Sequence, residues 1–280
     1  MSKTHPITLS SWTLGDKCTF EERCKAASEA GYDGIGLRAE TYVDALNEGL
    51  TDQDILDLLN KYQIKCTEVE YIVQWCEPKR SYEQKYKEQT CFHMCELFGV
   101  KHINTGLMED YPVDYTAQKL RELCQRAGDL IIALEPMPYS GMPNLDKTWK
   151  ILEAANCDNA MILLDTWHWV RANQPYEGLL TKEQAKKVIA IQLDDAYKRP
   201  YAKSILRDES MHDRLAPGMG EADTVGFIKM IKEAGVDPKV IGVEVISDNY
   251  LSKGLDWNAN FTYQQTVKVL KEAWPEILAD

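Results

Sequence analysis

The chain has little positive charge to spare, no long apolar run and no closely paired cysteine motif. Among 280 residues, 44 acidic side chains face 32 basic ones, a formal charge of −12. Such a surface repels phosphate backbones, whereas nucleic-acid binders carry a basic face, so no nucleic acid is expected as a partner. No stretch approaches the roughly 20 apolar residues of a membrane span. Residues Met1 to Ile7 lack a run of signal-peptide length, so no membrane is expected and a cytoplasmic location is. The eight cysteines (18, 24, 66, 76, 91, 95, 124 and 157) lie mostly inside apolar patterns and read as reduced core thiols. The dinucleotide glycine signature is missing too. Gly31, Gly34 and Gly36 come at a helix end before a strand, the reverse of the order that cradles a pyrophosphate, and read as turn glycines.

What is present is a repeating unit. A cap opens an apolar stripe at offsets of three and four, a glycine closes it, and a short β-rich run follows. Thr19 with Glu22 forms a capping box, Phe20, Cys24 and Ala27 the stripe, and Gly31 the stop. Strands are predicted at Ile7 to Ser10, Gly34 to Leu37, Lys65 to Glu70, His102 to Asn104, Leu130 to Leu134, Met161 to Leu164, Val188 to Leu193 and Val240 to Val245. Eight short strands, apolar on both faces and alternating with helices, predict a single-domain (β/α)8 TIM barrel over residues 1–280. A doubly wound open sheet is the rival architecture.

Active sites of such barrels sit at the C-terminal strand ends. There the last four strands run into Glu135, Asp165, Gln192 and Glu244. Three carboxylates in a partly dry pocket repel one another unless a cation neutralises them, which points to a divalent metal. With oxygen donors alone, Mg2+ or Mn2+ is favoured over zinc. A single acidic residue after a strand is equally well a helix cap; it is the set of four that argues for a site.

The motifs Ala133 to Pro136 (Ala-Leu-Glu-Pro), Leu163 to His168 (Leu-Leu-Asp-Thr-Trp-His), Gln192-Leu-Asp-Asp-Ala, Arg214-Leu-Ala-Pro-Gly-Met-Gly-Glu and Gly242-Val-Glu-Val together resemble the xylose-isomerase-like barrel superfamily. That superfamily includes tagatose and psicose epimerases, inosose dehydratase, 3-dehydroshikimate dehydratase and endonuclease IV. The resemblance covers the whole chain and implies one divalent metal on Glu135, Asp165, Gln192 and Glu244. Many members carry histidine where this chain has Gln192. The glutamine form is similar to certain 3-dehydroshikimate dehydratases, which share the arginine-to-Pro-Gly loop.

Sites of this kind remove a proton next to a carbonyl, with the metal polarising the carbonyl or holding an enediolate oxygen. The expected activity is a metal-dependent isomerase or epimerase of a keto-sugar or related polyol, with Glu135 and Glu244 passing the proton. The alternative is a dehydratase of a cyclic hydroxy-ketone such as 3-dehydroshikimate or an inosose, in which His168 supplies the acid. Arg214 is expected to close over a substrate carboxylate or phosphate. Trp12, with Trp75, Trp167 and Trp169, offers rings for a sugar-like face, and Glu70 and Arg38 complete the candidate polar contacts. His102 enters a strand at the opposite end of the barrel and reads as structural, as do His5 and His93. The partner is thus a small carbohydrate-like molecule, and a homo-oligomer is left open. A multi-metal nuclease is disfavoured by the acidic charge, and a barrel without activity is the non-enzymatic rival.

Overall fold

The computed structural model describes residues 4–173, 179–198 and 202–279. Eight strands close into a barrel in sequence order, every neighbouring pair parallel. They are β1 (Ile7–Ser10), β2 (Gly34–Arg38), β3 (Lys65–Ile72), β4 (His102–Thr105), β5 (Ile131–Leu134), β6 (Ala160–Asp165), β7 (Val188–Leu193) and β8 (Val240–Val243). The pairing of β1 with β8 completes the ring and excludes the open sheet. Helices ring the outside, and their caps are those the sequence announces. Thr19 and Glu22 form a capping box, as do Thr51 and Asp54, while Gly31, Gly99 and Gly235 end their helices in the left-handed region. No described helix is long and apolar enough to cross a membrane.

Alternation along the strands decides what enters the barrel. Ile132, Leu134, Ile162, Leu164, Ile191 and Ile241 join the large core under the helices. Ala133, Leu163, Ala190 and Val240, one position off, form a separate small cluster and therefore face the barrel interior. Two residues further on, with the same parity, come Glu135, Asp165 and Gln192; Glu244 follows Val240 by four. The period of a pleated strand thus delivers all four side chains to the inside of the mouth.

On the side of the first four strands the interior is polar. Thr8 Oγ1 and Thr67 Oγ1 are 2.7 Å apart, and Glu68 and Asn104 are fully buried. Here two glycines differ from expectation. Gly31 does end a helix, at φ +100°, but Gly34 and Gly36 lie within β2 rather than in turns. A Cβ on Gly34 would stand 2.1 Å from Thr67 Oγ1, so the missing side chain makes room inside the barrel. All eight cysteines are free, six of them buried, in keeping with core thiols.

His102 opens β4 at the N-terminal end of the barrel, where its Nε2 has no partner. Burial lowers its pKa from 6.5 to about 4. The unfolded chain therefore binds a proton that the folded one refuses, and stability falls as pH drops through that window. Replacing His102 by leucine is expected to flatten the loss of stability between pH 6.5 and 4, as read from denaturation midpoints. An unchanged slope would assign that loss to other groups.

Candidate active site

A cavity of about 250 Å3 opens at the C-terminal ends of the strands. Its walls include Trp12, Arg38, Glu70, Glu135, His168, Arg214 and Glu244, so seven of the nine candidate residues share one pocket. The other two, Asp165 and Gln192, are buried at 2% and 1% exposure, and both touch residues that line it.

Asp165 ends β6 and caps the short helix Thr166–Arg171, its Oδ1 accepting the His168 N–H at 2.7 Å. That cap places the imidazole over the mouth. His168 Nε2 lies 3.3 Å from Glu135 Oε1, in an orientation that leaves this oxygen without a hydrogen bond. The other oxygen, Oε2, accepts from the Tyr71 hydroxyl at 2.7 Å. Glu135, Asp165 and His168 each present a ligand atom within 4.8 Å of the others. Gln192 Oε1 is also buried and unpaired. Sequence reasoning put His168 outside an all-oxygen shell, whereas the structure sets an imidazole nitrogen among the carboxylates.

Arg214 differs most from expectation. It is not poised on a loose loop: bridges pair Asp195 with Leu215 and Asp213 with Ser247, and the Arg214 N–H donates to Ile246 O at 3.0 Å. The side chain is thereby stitched between the ends of β7 and β8, and it is 2% exposed. Nη1 donates to Asp165 Oδ2 at 2.8 Å and Asp194 Oδ2 at 2.7 Å, with Glu244 Oε2 at 3.2 Å. Nε donates to Ser210 O and Nη2 to Ser210 Oγ, with His168 Nε2 at 3.4 Å. Four N–H directions are taken by oxygen acceptors of the protein and the fifth points at His168 Nε2, so the guanidinium is tied to the carboxylates where it lines the pocket.

The acidic character of the mouth is therefore only partly offset. Glu68, Glu70, Glu135, Asp165, Asp194 and Glu244 are all buried, and Arg214 is the guanidinium buried among them. Burial is the main cause that pushes Glu244 up to about 8, opposed by Arg214 and reinforced by Glu135. Glu70 is pushed to about 8 in the same way, first by burial and then by Glu244. Burial holds Asp194 well above the usual carboxylate range, with Asp165 adding to it. Unpaired acceptor oxygens and crowded carboxyl groups of this kind fit a hard or borderline cation.

Of the four candidate tryptophans, Trp12 alone lines the pocket, with the Arg38 guanidinium 3.8 Å from its ring centroid. Trp75, Trp167 and Trp169 are packed inside the protein. Tyr71, Asn104, Asp194 and Glu68 were not singled out by sequence reasoning. For Glu68 and Tyr71 the cause is strand pairing: β3 carries extra residues where its pairing shifts, between Ile35 and Gly36 on one side and between Glu70 and Ile72 on the other. Each shift resets the alternation on which a sequence reading depends. Asp194 stands in the quoted Gln192-Leu-Asp-Asp motif, two residues past Gln192, but carries no role in the sequence reading.

A closed parallel barrel with a buried carboxylate cluster at its C-terminal mouth defines an acidic-mouth (β/α)8 protein. Within that class, the chain belongs to the xylose isomerase-like TIM barrel family, whose sequence profile matches residues 24–273. Solved structures agree on the fold. The IolI protein, crystallised with a zinc atom, superposes with a TM-score of 0.81 at 20% identity, over 96% of this chain and 99% of its own. A probable 3-DHS dehydratase, AsbF from Bacillus anthracis, gives 0.72 at 14% identity, over 92% and 98%. D-allulose 3-epimerase from Methylomonas sp., solved with D-allulose, gives 0.69 at 15% identity, over 97% and 98%. No curated protein matches the chain by sequence.

Proposed function

We propose that the chain is a divalent-metal-dependent isomerase or epimerase of a keto-sugar or sugar-related polyol. The observation that carries this reading is the convergence of ligand atoms of Glu135, Asp165 and His168 within 4.8 Å, with Glu135 Oε1 and Gln192 Oε1 buried and unpaired. Glu135, Asp165, Gln192 and Glu244 would hold the cation, with His168 close enough to contribute. The zinc of IolI supports a cation in this fold. A nitrogen donor nearby widens the choice beyond Mg2+ and Mn2+ to zinc. The bound cation would act as a Lewis acid, polarising a substrate carbonyl.

The remaining work falls to the chain's own groups. Glu135 and Glu244 rise from strands three apart and line the same pocket, so one removes a proton from the carbon next to the carbonyl and the other returns it. Trp12, with Arg38 stacked on it, offers an apolar face and a donor for a polyol. The pocket suits a small molecule.

A dehydratase is the second reading, favoured by His168 beside Glu135 and by glutamine at position 192. In that case Glu135 or Glu244 takes the proton and His168 protonates the departing hydroxyl. A panel of ketoses and cyclic hydroxy-ketones, followed by proton NMR in deuterated water, separates the two. The isomerase puts deuterium next to the carbonyl without loss of water, whereas the dehydratase yields a conjugated product that absorbs in the ultraviolet. Neither signal with Mn2+, Mg2+ or Zn2+ present would sink both readings.

A further inference from the structure

Beneath the mouth lies a polar layer of which the proposed chemistry uses Gln192 alone. Glu68 and Glu70 of β3, Asn104 of β4 and Gln192 of β7 meet inside the barrel, each at most 2% exposed. Asn104 Nδ2 donates both to Glu68 Oε1, at 2.8 Å, and to Glu70 Oε1, at 2.9 Å. Gln192 Nε2 donates to that same Glu70 oxygen at 2.9 Å.

The consequence is directional. An amide has one donating end and one accepting end, and the Glu70 oxygen that faces Gln192 is an acceptor already, taking the Asn104 amide N–H. Glu70 therefore takes the nitrogen of Gln192, and Gln192 Oε1 is left turned from it, buried and without a partner. The layer has room for this because two strands present glycine to it. A Cβ on Gly242 would come within 2.7 Å of Gln192 Cγ, and one on Gly36 within 3.0 Å of Glu68 Oε2. Glu68 and Asn104 in turn fix Glu70 from below.

We propose that Glu70 is a positioning residue. It orients the Gln192 amide so that the carbonyl oxygen is presented to the cation, and the Glu68–Asn104 pair holds Glu70 in place. This assigns Glu70 a role other than the substrate contact expected from sequence, and it rests on the metal reading above. Carboxylates behind a metal ligand commonly set its orientation, and their loss costs about 10–100-fold in metal affinity.

The test is calorimetric titration of chelator-treated full-length protein with Mn2+, with no substrate present. Glu70→Leu, which keeps much of the bulk but offers no acceptor to Gln192, is expected to weaken Mn2+ binding about 10–100-fold. In a Gln192→Ala background the same change is expected to have little further effect, because a group acting through Gln192 has nothing left to orient. Asn104→Leu, which alters no proposed ligand, is expected to weaken binding in the same direction. Thermal unfolding without metal verifies that each variant is folded. The proposal is overturned if Glu70→Leu and Asn104→Leu bind Mn2+ as wild type does, or if Glu70→Leu costs as much with Gln192 removed as with it present. Wild type that binds no Mn2+ would instead overturn the functional reading, and this inference with it.

Discussion

Glu135→Gln is expected to lower kcat by about 10²–10⁴-fold while leaving the protein folded, because it removes a general base and neutralises a proposed ligand at once. The structure makes this a clean substitution. Glutamine keeps the shape of the side chain and can still accept the Tyr71 hydroxyl, and Glu135 Oε1 gives up no protein hydrogen bond. Stability therefore changes little while the chemistry is lost. Glu244→Gln is expected to act similarly in an isomerase, which needs a carboxylate on each side of the reacting carbon. The dehydratase reading separates at His168: His168→Asn would stop loss of the hydroxyl yet preserve proton exchange into deuterated water. Activity within tenfold of wild type for Glu135→Gln would remove Glu135 from the mechanism.

Arg214→Met is expected to affect the fold more than any other single change in the pocket. The side chain is buried against Asp165, Asp194 and Glu244, and its removal leaves carboxylates buried without their counter-charge. Breaking a buried ion pair from one side costs about 3–5 kcal/mol. Urea denaturation of the metal-free protein measures it. Two rescues are expected: added Mn2+, which would take over part of the neutralisation, and Asp194→Asn, which removes one of the stranded charges. A loss below about 1 kcal/mol, the range of an exposed pair, would show that Arg214 does not hold the carboxylates together.

Much of this arrangement was legible in the sequence because it is local. Apolar runs bounded by caps and glycines mark the strands, and the period of two carries Glu135, Asp165, Gln192 and Glu244 inward from residues such as Ala133 and Leu163. What escaped depends on partners distant in the chain. Arg214 follows a long connection, and only its bridges to the ends of β7 and β8 show that it is pinned inside rather than free to close over a ligand. Glu68 and Tyr71 are directed by register shifts that arise from pairing, which no run of residues announces. Trp167 and Trp169 follow a strand end as Trp12 does, yet a short helix turns them into the packing, where Trp169 meets Phe227 edge-on. Strand-end position alone does not separate a ring that lines a pocket from one that fills a core.

The carboxylate cluster of this barrel mouth is proposed to hold a divalent cation. Calorimetric titration of chelator-treated protein with Mn2+, repeated with Asp165→Asn, tests it most directly. One binding site per chain is expected in wild type, and a large loss of affinity in the variant. Heat no greater than dilution in wild type, for Mn2+ and likewise for Zn2+ and Mg2+, would contradict it.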